Sequence, residues 1–431
     1  MLYYSLERNS PNVSFREAVL KGQAPDRGLY FPEKIPALPS DFLQELPNLS
    51  KEEIGVTVMR PYVEGDITET ELKQIVTETV NFDFPLVQIN KQIASLELFH
   101  GPTYAFKDVG ARFMSRCLGH FSQGNKQKTT ILVATSGDTG GAVANGFLGV
   151  EGVEVIILYP SGKVSPIQEL QLTTCGKNIT ALEIEGSFDD CQAIVKKAFM
   201  DKDLHQAYNL TSANSINVGR WLPQQLYYFY GLQQWTQNKP PVIAVPSGNF
   251  GNICAGILAY KSGLPVRQFI AACNINDTIP RYMEQHVYQP NPTRPTLSNA
   301  MDVSDPSNFK RILEIFQSNT EDLGAIFNSV SVTDEVTKNT IKKVYEQTRY
   351  LLDPHGAVAY YALEQQLQNH PEQAGFILET AHPVKFPNVI ESMLNIQIDL
   401  PQNAEILDPA AKQSHQLSNQ YDAVKNWLLT R

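Results

Sequence analysis

Five short apolar runs constrain this chain more than any other feature. They are Lys128–Ala134, Val153–Leu158, Ile179–Ile184, Pro241–Val245 and Gly375–Glu379. Runs this short, and apolar instead of alternating, suit strands covered on both faces. Between them lie loops and helix starts. Ser136 to Gly141 precedes a helix of small residues. Ser165 with Gln168 forms a capping box, with Pro166 at the first helical position. Ser187 and Asp190 open a helix through Met200, and Ser247 to Asn252 precedes another. Strand–loop–helix repetition of this kind predicts an α/β protein with mostly parallel sheets and right-handed crossovers. Ligands in such sheets gather at the carboxyl ends of the strands, where several of these loops fall.

The pattern begins at about Gln88. Before it, Phe15, Val19 and Leu20 have helical spacing, Pro36 and Pro39 punctuate, and Asp66 to Thr79 predicts a helix with a capping box at Thr68 and Glu71. This part has no phosphate loop and no metal-ligand spacing, and it is expected to be structural. Tyr288 to Leu297 is a proline-rich connection. There is no internal repeat.

At 431 residues the chain is long enough for two or three domains. Lys plus Arg number 35 against 45 Asp plus Glu, a net charge of -10, which argues against a general nucleic-acid binder. An anionic ligand has to be caught by local positive groups instead. The five cysteines (Cys117, Cys175, Cys191, Cys254, Cys273) contain no Cys-x-x-Cys pair, as expected of thiols in a reducing compartment. With no signal-peptide pattern at the start and no apolar run long enough to span a bilayer, the expectation is a soluble cytoplasmic protein.

Lys107 follows Tyr104, Ala105 and Phe106, behind a Gly-Pro turn. Apolar surroundings disfavour the ammonium and lower the pKa, and a neutral amine can form a Schiff base with an aldehyde. The other possibility is a lysine stem covering apolar surface with its head in water. Ser247-Gly248-Asn249-Phe250-Gly251-Asn252 can turn several N–H groups into one concavity at a helix start, which suits a phosphate monoester. It can equally be an ordinary strand-to-helix turn, and it matches neither nucleotide-binding pattern. Thr135-Ser136-Gly137-Asp138-Thr139 can hold a carboxylate, or simply cap its helix. Within Asn214 to Arg220, the arginine can clamp a phosphate or lie on the surface. Thr380 puts a hydroxyl at a strand end. Asp353-Pro-His355-Gly is a turn before the helix Ala357 to Leu367, and His100 and His382 flank the loops as structural histidines. Gly-x-Ser-x-Gly and His-Glu-x-x-His are both absent.

Taken in order, Phe106-Lys107-Asp108, Ser136-Gly-Asp-Thr-Gly140, Gly248-Asn-Phe-Gly-Asn252 and the strand-end Thr380 resemble the fold-type II pyridoxal-phosphate enzymes, the tryptophan-synthase β-like group. Tyr3 to Arg8, Ala24 to Pro32 and Leu98 to Asp108 narrow the resemblance to the long-form threonine synthase family, along essentially the whole chain. The resemblance implies two mostly parallel open α/β domains plus a small N-terminal subdomain. Residues 1–87 would form that subdomain, 88–125 with 236–431 a large cofactor-binding domain, and 126–235 a small mobile domain. It implies pyridoxal 5'-phosphate bound to Lys107, which would also move the proton at Cα. Gly248, Asn249, Phe250, Gly251 and Asn252 would hold the cofactor phosphate, Thr380 the pyridine nitrogen, and Asp138 the phenolic side of the ring. Thr135, Ser136, Gly137 and Thr139 would receive the substrate carboxylate. Ser215, Asn217 and Arg220, with Lys163 in addition, would receive the substrate phosphate. The implied reaction takes O-phospho-L-homoserine and water to L-threonine and phosphate, in a monomer. Asp138 departs from the wider group, where many relatives carry Asn. An ionised carboxylate there would repel a phenolate, so Asp138 is expected to be protonated, displaced or aimed at an amide.

Overall fold

The computed structural model describes residues 1–124, 127–401 and 407–431. Three sheets organise it. The first is a small antiparallel sheet of Val13–Ser14, Leu2–Ser5 and Tyr30–Pro32. Around it lie Phe15–Lys21, Lys51–Val63 and Glu69–Thr79. All three helices start on reciprocal capping boxes, at Ser14/Glu17, Ser50/Glu53 and the expected Thr68/Glu71. Tyr3, Phe15, Ile54 and Tyr62 are buried and belong to the same apolar core as the central helices, so this segment is welded to the body.

The second sheet has six strands, in spatial order Phe327–Ser331, Gln268–Cys273, Val242–Pro246, Gly375–Glu379, Ile93–Glu97 and Leu86–Gln88. All pairings are parallel except the edge pair of Leu86–Gln88 with Ile93–Glu97. The third sheet is parallel throughout, in the order His415–Ser418, Ile179–Glu185, Val153–Pro160, Thr129–Ala134 and Asn209–Thr211. Every residue of Thr129–Ala134, Val242–Pro246 and Gly375–Glu379 is buried, the two-sided covering that their apolar composition requires. Gln225–Gln233, which carries Tyr227, Tyr228, Phe229 and Tyr230 in succession, is buried over almost all of its length.

One expectation of the sequence is changed. Residues 415–430 do not join the large sheet, with which everything after 236 had been grouped. His415–Ser418 extends the five-stranded sheet beside Ile179–Glu185. Helix Tyr421–Thr430 places Val424 and Leu428 among Leu182, Ile184, Cys191 and Ile194. The apolar face of the last helix fits that cluster, and burying it there drives the return. The expected boundary at 125/126 lies outside the described residues. Among the described residues, no helix is long and apolar enough to cross a membrane, and no cluster of His, Cys, Asp and Glu could hold a metal ion.

The carboxyl ends of the two parallel sheets face one cleft. Lys107 begins the helix Lys107–Ser122 after Ile93–Glu97, and Thr380 follows Gly375–Glu379. Ser247 follows Val242–Pro246, and Thr135 follows Thr129–Ala134.

Candidate active site

The loop before Lys107 is fastened along its length. Tyr104 adopts φ 55°. His382 N–H donates to Tyr104 O (3.0 Å), Phe106 N–H donates to Thr380 O (2.9 Å), and Ala105 bridges Ala381. The Tyr227 hydroxyl donates to Phe106 O. Asp108 is buried and accepts from Thr103 N–H (2.9 Å) and Thr103 Oγ1 (2.5 Å). Burial raises its pKa. These contacts fix Lys107 at the first turn of its helix, with Nζ 4.8 Å from the Phe106 ring centre and 3.6 Å from Asp138 Oδ2. Burial lowers the Lys107 pKa; Asp138 opposes the shift, and Lys385 and Arg220 reinforce it.

Asp138 meets an amide, as one reading of the sequence expects, and a lysine beside it. Lys385 Nζ lies 2.5 Å from Oδ1, and Gln168 Nε2 donates to the same oxygen at 2.9 Å. Burial favours the neutral acid, but Lys385 and Lys107 outweigh it and hold the carboxyl well below the usual range. Gln168 is the expected capping residue of the helix Pro166–Thr173, and its amide reaches on from the cap into the site. Gly137 has φ 140°, and a Cβ there would lie 2.5 Å from Gln168, so only glycine fits. Thr135 Oγ1 accepts from Gly137 N–H (3.0 Å) and Gly140 N–H (2.8 Å) and so shapes the loop. Ser136 and Thr139 are half-buried.

In the second loop, Phe250 takes the left-handed conformation (φ 61°) and caps the helix Gly251–Lys261. A Cβ on Gly248 would sit 2.6 Å from Met301 Cα, so close backbone approach excludes any side chain. Among the described residues, none accepts a hydrogen bond from the N–H groups of Gly248 through Asn252, and the buried Asn252 Nδ2 is also without a partner. Unspent donors at a helix start form an anion cradle, and they fit a phosphate monoester. The Asn249 side chain is already committed: its Nδ2 donates to Ser215 Oγ (2.7 Å) and its Oδ1 accepts from Ser307 N–H (2.7 Å).

The 213–220 segment divides by role. Asn217 donates to Val19 O and Ser212 O and accepts from Gly219 N–H, so its amide is wholly spent in capping the turn Val218–Trp221. Arg220 is buried; one nitrogen donates to Ala213 O, and Nε has no partner. Burial lowers its pKa to about 10, and no carboxylate among the described residues pairs with it. Lys163 is not brought to the site. It is exposed in the turn after Val153–Pro160, and its charge acts on Asp190 and Cys191.

Sequence reasoning missed Lys385, although Val384-Lys385-Phe386 repeats the apolar setting of Lys107. It also missed Arg311, which is wholly buried. This guanidinium donates to Ser215 O (3.2 Å), Ile216 O (2.7 Å), Tyr30 O (3.0 Å) and Asn308 Oδ1 (2.7 Å), and lies 4.3 Å from the Trp221 ring centre. Behind Thr380 lies a buried acidic chain. Glu379 Oε1 accepts from Asp353 N–H (2.7 Å), while Oε2 has no partner. Asp353 Oδ1 lies 2.5 Å from His355 Nδ1, and His355 Nε2 accepts from Ala300 N–H (3.2 Å). That pattern assigns the His355 proton to Nδ1. Burial, then Asp353, pushes the Glu379 carboxyl well above its usual range.

Replacing Arg311 with Met should cost about 3 kcal/mol or more in urea denaturation, because four acceptors lose one donor group. The raised pKa of Glu379 favours the protonated carboxyl in the folded chain. Below the unfolded pKa both states are protonated and the group is neutral to stability. Above it the unfolded chain releases the proton first, so stability falls as pH rises towards the folded pKa. Glu379→Gln should therefore gain thermal stability relative to the parent as pH rises from the ordinary Glu range towards the raised folded pKa. An unchanged difference across that range would show that Glu379 is ionised.

A family described as "Pyridoxal-phosphate dependent enzyme" matches residues 84–378. "Threonine synthase N terminus" matches 2–80, and "Threonine synthase, C-terminal" matches 356–428. The threonine synthase of Haemophilus influenzae is 42% identical over 431 residues, covering 100% of both chains. The crystal structure of threonine synthase from Escherichia coli superposes with a TM-score of 0.92 at 41% identity, covering 100% of this chain and 99% of that one. The pyridoxal-phosphate-bound threonine synthase from Brucella melitensis gives 0.91 at 33%, covering 99% and 98%. The chain is thus a pyridoxal-phosphate-dependent enzyme of fold type II, and it belongs to the threonine synthase family.

Proposed function

We propose that this chain converts O-phospho-L-homoserine and water to L-threonine and phosphate, with pyridoxal 5'-phosphate carried on Lys107. One observation carries the reading: two groups suited to anions accompany the buried amine. One is the cradle of unspent N–H groups at Gly248 to Asn252; the other is Arg220, a buried cation with no carboxylate partner. A permanent phosphate and a leaving phosphate need both.

Bound there, the cofactor supplies an electron sink for the C–H bonds broken at Cα and Cβ. The protein binds, orients and moves protons. Lys107, whose pKa burial lowers, takes and returns the Cα proton. Arg220 draws the substrate phosphate to one side and stabilises the charge that gathers on it as it leaves Cγ. Ser215 Oγ accepts from Asn249 (2.7 Å) and Asn308 (3.3 Å), which leaves its own proton to donate to an oxyanion. The half-buried Ser136 and Thr139 hydroxyls, on the loop that Thr135 shapes, receive the substrate carboxylate. Asn217 holds this wall in place through backbone contacts, and Lys163 takes no part. The Thr380 hydroxyl, a neutral group at the end of its strand, would hold the ring nitrogen.

We also read the five-stranded sheet, with the C-terminal strand and helix, as a unit that closes over the large sheet and excludes water until it is needed. The exposed large apolar side chains, Leu2, Met200, Val287, Tyr288, Leu400 and Leu429, are scattered in sequence, which supports a monomer. The free thiols support a cytoplasmic setting.

Incubation with O-phospho-L-homoserine should release phosphate and threonine in equal amounts, and free threonine should give no keto acid. Phosphate release without threonine would overturn the reading. Lys107→Ala should abolish the borohydride-reducible lysine adduct. Arg220→Ala should raise KM roughly ten- to hundredfold while cofactor retention holds. Equal loss of both would move the substrate phosphate elsewhere.

A further inference from the structure

Lys385 ends the turn Pro383–Lys385, five residues beyond Thr380, and is wholly buried. Its ammonium touches Asp138 Oδ1 at 2.5 Å and Thr103 O at 2.9 Å. Gln168 Nε2 shares Asp138 Oδ1, while Oδ2 faces Lys107 Nζ at 3.6 Å. One carboxylate therefore lies between two lysines from different elements, its back oxygen tied down and its front oxygen turned towards the amine. A carboxylate this close to the amine would hold a proton on it and repel any anionic oxygen brought to the same place.

We propose that Lys385 is a positioning residue: its ammonium neutralises Asp138 from behind, so that the space beside Lys107 accepts the phenolate oxygen of the cofactor. The proposal rests on Lys107 as the cofactor's anchor. With Lys385 present, two cations face one carboxylate, and the phenolate closes the balance. Without it, one cation and one carboxylate already cancel, and the phenolate arrives as an unpaired charge in a buried site.

The same arrangement frees the Lys107 amine. The charged groups around it are Asp138 from the helix Asp138–Phe147, Lys385 from its turn and Arg220 from Val218–Trp221. Asp108 on Lys107's own helix is held by Thr103 and raised by burial. His382, pushed down to about 4 by burial, is neutral at ordinary pH. Removing Lys385 takes away one of the two cations that drive the proton off Lys107 and leaves Asp138 to hold it.

The test uses the full chain with and without cofactor. In the apoprotein, the pH dependence of Lys107 acetylation by acetic anhydride is followed by mass spectrometry. In the holoprotein, cofactor dissociation and the pH titration of its absorbance are measured. Lys385→Met should raise the labelling midpoint by about one pH unit or more and weaken cofactor binding roughly tenfold or more. Lys385→Arg should keep both near the parent values. The neutral pair Asp138→Asn with Lys385→Met should recover cofactor affinity to within about threefold. If Lys385→Met alone does not fold, the double variant carries the test, since it buries no unpaired charge. Unchanged labelling and affinity in Lys385→Met would overturn the proposal. So would a double variant that folds without recovering affinity, or one that does not fold, which would make the pair a structural strut. If Lys107 were not the anchor, the reduced cofactor adduct would map to another lysine, a result separate from all of these.

Discussion

The contact on which the cleft depends is the buried pair of Lys385 and Asp138. One partner follows the central strand of the six-stranded sheet, the other starts a helix of the five-stranded sheet, and they meet at 2.5 Å. Neither charge reaches water, so each needs the other. Because Lys385 also holds Thr103 O, and Thr103 holds Asp108, the loop that presents Lys107 hangs from the same ammonium. Lys107, Asp138 and the junction between sheets form one electrostatic unit.

A second set of contacts serves the substrate side. Arg311 spends its guanidinium on Tyr30 of the N-terminal sheet and on Ser215 and Ile216 of the cleft wall. The first eighty residues present no chemistry of their own, yet they hold the far end of this clamp. Through Arg311 they fix the backbone at Ser215 and Ile216, just before Arg220, and a site gains precision from such rigid support.

How much of this was legible depends on how local each signal was. The buried strands, the capping boxes and the loops at 135–141 and 247–252 were visible because a few adjacent residues specify each of them. Lys107 stood out by its neighbours. Lys385 had comparable neighbours, but its partner lies far off in the chain, and only tertiary packing pairs them. Asn217 and Lys163 show the reverse error. Asn217 sits in a cap that consumes its whole amide, and Lys163 lies in a turn that faces Asp190. The strand His415–Ser418 escaped notice because a mostly exposed edge strand of four residues carries little apolar signal.

That late strand has a consequence for how the molecule is made. The other four strands of its sheet are complete by Thr211, but the edge beside Ile179–Glu185 stays unpaired until His415–Ser418 emerges. Until that strand is made, the nascent chain carries an open parallel edge and an uncovered apolar patch around Leu182 and Ile184. Residues 415–431 act as a cover made about two hundred residues after the rest of their sheet.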